Sequence, residues 1–191
     1  MNASRRKGWF GRAGFWLKKP PAGRSPWKKV WLLSTLPGVS APMISRRALI
    51  DSNVIIAALD ADHPHHEPSV VLLGQAPLKL LAVAAHSYAE TFTTLTRLNA
   101  ASPYKWPPAR AVASLRSVAG SAELVGMTPA QTLDAVLRYG DNGGMGARIY
   151  DYLIGQAAVH AGLQIVVTWN LAHLRPLFPR IEVIDPVQAL A

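Results

Sequence analysis

Five side chains stand out for the chemistry that their types and settings allow: Asp51, Glu90, Asp151, Thr168 and Asn170. Asp51 stops the apolar run Ala48-Leu49-Ile50, and Thr168 and Asn170 stop the β-branched run Ile165-Val166-Val167 in the same way. Glu90 and Asp151 each lie near the amino end of a helical pattern. In an open α/β sheet, strand carboxyl ends and the amino ends of the following helices share one rim, where ligands collect. The five can therefore meet. Three carboxylates without a basic partner repel one another and hold protons tightly unless a cation neutralises them. Such oxygen ligands suit Mg²⁺ or Mn²⁺, and a hard cation lowers the pKa of its water and stabilises charge on a phosphoryl oxygen. Phosphodiester hydrolysis is within reach of this set. Each residue also has a plainer use: Asp51 as a turn or cap residue, and Glu90 as a favourable charge on a helix dipole, worth under ~1 kcal/mol.

The elements that must position these groups read as follows. Apolar residues bounded by Asp51-Ser52-Asn53 form a buried strand, and the helical run 54–59 follows, with Ser52 or Asn53 placed to cap it. Pro64 fits the first turn of a second helix that Gly74 ends. The histidines around it, His63, His65 and His66, lack the His-x3-His spacing of a helical metal site and read as a solvated turn. Residues 79–85 form the second strand. Residues 87–98 form a helix with Tyr88, Phe92, Leu95 and Leu98 on its core face and Glu90 in its first turn; His86, Thr94 and Arg97 share the Glu90 side. A helix over 109–118 and a short strand over 123–126 come next.

Thr128-Pro129-Ala130-Gln131 reads as a cap, a first-turn proline and a capping-box glutamine. They open a helix carrying Leu133, Val136, Leu137 and Tyr139, which stops at Gly140-Asp141-Asn142-Gly143-Gly144. That glycine-rich loop follows a helix and not a strand, which argues against a phosphate cradle. A helix from Ile149 carries Asp151 beside an apolar stripe of Tyr150, Leu153, Ile154, Ala157 and Ala158, and Gly162 closes it. Strands over 164–170 and 181–184 complete the chain. Strands alternating with helices give a three-layer α/β class, a mostly parallel central sheet flanked by helices.

Composition narrows the chemistry further. The chain has 191 residues, half of them apolar, and no cysteine, so one domain with a full core is expected, and thiol nucleophiles and cysteine zinc sites are excluded. Of the 20 basic side chains behind the +9 net charge, 11 fall in residues 1–47, which hold no acid; the other 9 share the remaining 144 residues with all 11 acids. The basicity belongs to a leader, residues 1–45, and not to the domain over 46–191. The leader mixes Arg and Lys with six aromatic residues and five prolines, a pattern that leaves no room for regular elements. It reads as disordered, or as an over-long start ahead of Met43. Competing readings are an arm for phosphates and bases, a contact with an anionic membrane surface, and a secretory signal. A spanning helix is excluded, because the uncharged run 30–45 falls short of the ~20 residues required and holds two prolines.

The order Leu49-Ile50-Asp51-Ser52-Asn53, Tyr88-Ala89-Glu90, Ile149-Tyr150-Asp151-Tyr152-Leu153-Ile154 and Val167-Thr168-Trp169-Asn170-Leu171-Ala172-His173-Leu174 resembles the PIN-domain ribonucleases, in particular the VapC-type toxins of toxin–antitoxin pairs. The resemblance covers residues 46 to about 186. It implies a cytoplasmic, Mg²⁺-dependent endoribonuclease (Mn²⁺ as the substitute ion) in which Asp51, Glu90 and Asp151 hold the metal and activate water, with Thr168 orienting a ligand. It also implies an RNA substrate, a cognate antitoxin protein, a homodimer and no membrane association. Many relatives carry a fourth acid where this chain has Asn170, whose amide carbonyl can still accept a hydrogen bond. Two other classes remain open at this point. A haloacid-dehalogenase-like phosphatase also begins with a strand ending in Asp, but wants an Asp at the position of Asn53 and gives Glu90 no role. A non-enzymatic nucleic-acid-binding module would expect a basic body surface.

Overall fold

The computed structural model describes residues 45–76, 80–99 and 102–191. Readings of residues 1–44 and of Lys79 lie outside the described residues. Among the described residues five strands, β1 (Ala48–Ile50), β2 (Leu81–Ala84), β3 (Glu123–Val125), β4 (Ile165–Val167) and β5 (Glu182–Ile184), alternate with helices. These are α1 (Ser52–Leu59), α2 (His66–Gln75), α3 (Ala85–Thr96), α4 (Pro108–Ala119), α5 (Pro129–Asp141), α6 (Arg148–His160), α7 (Leu171–Leu174) and α8 (Pro186–Leu190). The sheet order is β3-β2-β1-β4-β5 and every pairing is parallel.

Parallel strands covered on both faces read as continuous apolar runs, and β1, β2 and β4 are buried along their whole length. The two-residue period divides them between two cores. Ala48, Ile50, Val83 and Val167 face Val54 and Ile55 of α1 and Leu72 of α2. Leu49, Ala82 and Val166 face Ile154, Ala157 and Ala158 of α6 and Leu174 of α7. Leu49, Ile50, Val83 and Val166 have no exposed surface, and each such burial stabilises the fold by ~1.5–3 kcal/mol. A satellite core of Leu95, Trp106 and Ala111 ties α3 to α4. Arg46 and Arg47 pair with Glu182 and Glu123, so the entry to β1 is tied to both edge strands.

Several local readings need correction. Ser52 and Asn53 do not cap α1; they are its first residues, and Asp51 holds the N-cap position. Pro64 lies in the turn before α2, where His63 N–H donates to Asp60 O and His66 N–H to His63 O, and the first-turn proline is Pro68. Helix α3 starts at Ala85, which moves Glu90 into the second turn, and it ends at Thr96, leaving Leu98 83% exposed. Its buried face is Ser87, Thr91 and Leu95. Helix α5 has its full Thr128/Gln131 capping box but buries Ala135, with Leu133, Val136 and Leu137 exposed. Tyr150 of α6 is also exposed.

Helix α6 delivers Asp151 and is fixed at both its middle and its end. At Gly162 the backbone turns left-handed, φ +67°, and Gly162 N–H donates to Val159 O while Leu163 N–H donates to Ala158 O. This paired closure saves the last carbonyls and aims the chain into β4. Gly155 lets the Phe178 ring lie directly on the helix, since a Cβ there would come within 2.0 Å of the ring. Gly155→Ala is therefore expected to destabilise: overpacking costs ~1–3 kcal/mol, against which the better helix former returns at most ~1 kcal/mol. Urea denaturation measures it, and a stabilised variant would show that Phe178 moves aside freely.

Candidate active site

Strand register builds the centre of the site. Ile50 of β1 pairs with Val167 of β4, so the next residues, Asp51 and Thr168, meet at the carboxyl ends of the two central strands. Thr168 Oγ1 donates to Asp51 Oδ2 at 2.6 Å. Asn53, inside the first turn of α1, donates from Nδ2 to Asp51 Oδ2 at 2.8 Å and to Thr168 Oγ1 at 2.9 Å. The Thr168 hydroxyl also accepts Asn170 N–H at 2.9 Å, so its one donor and two acceptor sites are all in use. Ser52 Oγ donates to Asp51 Oδ1 at 3.2 Å. The Asp51 carboxylate makes no capping bond to α1. The Thr168, Asn53 and Ser52 side chains bond it, and the Asn53 backbone N–H also favours its ionised form, so Asp51 is at once the N-cap residue of α1 and the hub of these contacts.

Asp151 comes in from the first turn of α6. Asn170 Nδ2 donates to Asp151 Oδ1 at 3.4 Å and approaches His173 Nδ1 at 2.8 Å. When His173 takes up a proton it becomes an ion-pair partner of Asp151, 3.7 Å away. Glu90 comes from α3 and is near enough to both aspartates to be affected by their charge; its Oε2 is buried without a hydrogen-bond partner. The Glu90 reading as a first-turn dipole charge therefore yields to the one in which it points toward Asp51.

All three carboxyls hold their protons more tightly than exposed acids. For Asp51 the cause is burial, opposed by the bonds from Thr168 and Ser52 and reinforced by the Asp151 charge. For Glu90 it is burial and then the Asp51 charge. For Asp151 it is burial, against which His173, Asn170 and Arg148 pull the pKa down. A cation would relieve this repulsion, and the orphaned Glu90 oxygen is one place for it to bind. Among the described residues no group of three or more His, Cys, Asp or Glu side chains forms a ready-made metal cage. The donor set instead fits a hydrated, oxygen-preferring ion of the Mg²⁺ type, which binds through one or two carboxylates and keeps several waters.

The sequence model of the PIN domain matches residues 48–173, from the first residue of β1 to His173. The chain belongs to the PIN-domain family. Among solved structures, this PIN domain is similar to VapC20 of Mycobacterium tuberculosis, a Sarcin-Ricin loop cleaving toxin, with a TM-score of 0.53 and 15% identity over 66% of this chain and 92% of that one. It is similar to FitAB bound to IR36 DNA, with a TM-score of 0.53 and 20% identity over 73% and 94%. It is also similar to VapBC2 from Rickettsia felis bound to a promoter DNA fragment, with a TM-score of 0.50 and 15% identity over 72% and 97%. At these identities the likeness is one of fold. No curated protein matches the chain.

PIN membership sets aside the phosphatase alternative, and Asn53 has a different task here: it bridges Asp51, Thr168 and, through Oδ1, the Trp169 N–H at 3.1 Å. Sequence reading passed over that bridge, over His173 and over Arg148. Asn53 could have been found from its place two residues after Asp51, which sets it in the first helical turn beside the strand end; His173 from its spacing of three after Asn170 on one helical face.

Proposed function

We propose that this PIN domain is a metal-dependent endoribonuclease, the toxin of a toxin–antitoxin pair, with Asp51, Glu90 and Asp151 holding Mg²⁺ or Mn²⁺. The reading is carried by PIN-family membership, and Asp51, Glu90 and Asp151 support it by lying near enough for the charge of one to act on another. The ion, when bound, supplies positive charge that activates water and offsets charge developing on a phosphoryl oxygen. The chain's own part is positioning. Thr168 and Asn53 fix Asp51 Oδ2 from two sides, leaving Oδ1 the more available oxygen. Glu90 Oε2, buried and unpartnered, is an acceptor that a bound ion would satisfy. Asn170 and His173 steady Asp151, and Asn170 brings no fourth charge to the set. An RNA substrate fits the likeness to a Sarcin-Ricin loop cleaving toxin and a cognate antitoxin fits the VapBC and FitAB likenesses; a homodimer belongs to the same proposal, and an antitoxin segment bearing Arg or Lys would suit the acidic rim. Among the described residues no helix is long and apolar enough to cross a membrane.

The test is cleavage of RNA by purified protein. Products are expected with Mg²⁺ or Mn²⁺ and none with chelator, and growth arrest on expression is expected to be relieved by the product of the adjacent reading frame. Cleavage that persists in chelator overturns the metal assignment.

A further inference from the structure

We infer that the stacked rings of His65 and Trp169 form a docking platform for one unpaired nucleobase of the substrate RNA, beside the phosphate handled by the acidic centre. The inference rests on the ribonuclease reading above. Trp169 stands between Thr168, which bonds Asp51, and Asn170, which bonds Asp151, so its backbone adjoins both. It is held from two directions: its backbone N–H donates to Asn53 Oδ1 at 3.1 Å, and its indole Nε1–H to Ser69 Oγ at 2.9 Å. His65 lies flat on the half-buried indole, ring centroids 4.0 Å apart and planes 11° apart. His63 touches His65 only obliquely, at 5.6 Å and 48°.

The turn that presents His65 is itself fixed, by His65 N–H donating to His63 Nδ1 at 3.1 Å and by the His66 imidazole bonding Ala57 O at 3.0 Å. The result is an exposed imidazole backed by an aromatic ring that is anchored at its indole and at its backbone. Phosphate contacts normally dominate the affinity of nucleic-acid-binding proteins. Here the centre is acidic, and the 144 residues after Arg47 hold 9 basic against 11 acidic side chains. Stacking attracts a base without any net positive charge, and every base has a face to offer. That makes the substrate single-stranded at this point, since a paired base keeps its faces inside the helix.

The test uses a short single-stranded RNA that the protein cuts, carrying one abasic site moved position by position. With wild-type protein, an abasic site at one position beside the cleavage point should raise KM ~10-fold with kcat nearly unchanged, the loss expected for one stacked base. In His65→Ala the KM for intact RNA should rise by a similar factor, and the same abasic site should then have no further effect. His65→Phe should restore both. His65→Ala with unchanged KM, or with an abasic penalty as large as in wild type, overturns the platform while leaving the ribonuclease intact. So does a variant whose melting temperature falls while KM stays the same, which would make the pair a packing contact. A wild-type protein that cuts no RNA with Mg²⁺ or Mn²⁺ overturns the ribonuclease reading first, and the platform with it.

Discussion

Asp51→Asn is expected to abolish RNA cleavage and, in metal-free buffer at neutral pH, to raise the melting temperature. The amide has the shape of the carboxylate, so its carbonyl can keep the bonds from Thr168 and Asn53, and its NH2 can donate to Ser52. What disappears is a charge on a group that is 2% exposed. Activity should fall by more than ~100-fold, the upper range for losses confined to the surroundings of a metal site. Stability should move the other way, because burial and Asp151 both disfavour the ionised Asp51; each ~1 kcal/mol gained lifts the melting temperature by ~2–4 °C in a chain of this size. The sign also sets a pH dependence. The folded-state pKa values of Asp51, Glu90 and Asp151 are raised, so the stability linked to them is complete below the ordinary carboxylate range and is lost as pH rises through the raised values. Metal-free wild type should therefore gain stability from this source on acidification through that window, and Asp51→Asn should gain less. Mn²⁺ should stabilise wild type at neutral pH far more than the variant. Thermal scans with and without Mn²⁺, beside cleavage rates, decide it. An active Asp51→Asn, or one less stable without metal while still folded, would refute the role given to this charge.

Thr168→Val should cost both stability and rate. Valine fills the same space, so the effect isolates the hydroxyl, which serves Asp51, Asn53 and Asn170 at once and is fully buried. Losing a hydrogen bond to a charged group and leaving buried donors unmet is worth roughly 2–4 kcal/mol. Cleavage should drop ~10–100-fold as Asp51 loses its positioning. Because the Thr168 bond lowers the Asp51 pKa, removing it should also shift the acid limb of the pH–rate profile to higher pH. Thr168→Ser should recover most of the rate and the profile. If Thr168→Val melts within ~0.5 kcal/mol of wild type, the range of an ordinary surface change, the hydroxyl is not the hub of the site.

The parts of this molecule that were legible from residue order are those governed by short-range patterning. Continuous apolar runs gave β1, β2 and β4, because a parallel strand buried on both faces has no polar alternation to disguise it. Asp51 and Thr168 were visible for the same reason, as the places where those runs stop. Helix starts were less legible. Neither Ala84 before α3 nor Ala147 before α6 offers a side-chain cap, so nothing in the sequence marked that α3 begins at Ala85 and Glu90 sits a turn further in. Leu98 kept the helical spacing of its predecessors, but the backbone leaves the helix at Arg97 with φ −60° and ψ 126°. Leu133, Val136 and Leu137 illustrate a different limit: periodicity identifies an apolar face, but what covers it depends on neighbours distant in sequence. The Asn53 bonds to Thr168 and Trp169 and the His65–Trp169 stack were illegible for that last reason, since these partners lie more than 100 positions apart.

The parallel pairing of β1 with β4 has a consequence for when the protein can act. Asp51 and Thr168 are 117 residues apart, and at ~5–20 residues per second a ribosome needs roughly 6–23 s to make the second after the first. Within that interval Glu90 is made 39 residues after Asp51, Asp151 only 17 residues before Thr168, and the β4 strand that holds the central sheet together just ahead of Thr168. The acidic centre therefore cannot assemble before β4 has been made, and the machinery translating the chain is not exposed to a finished site until then.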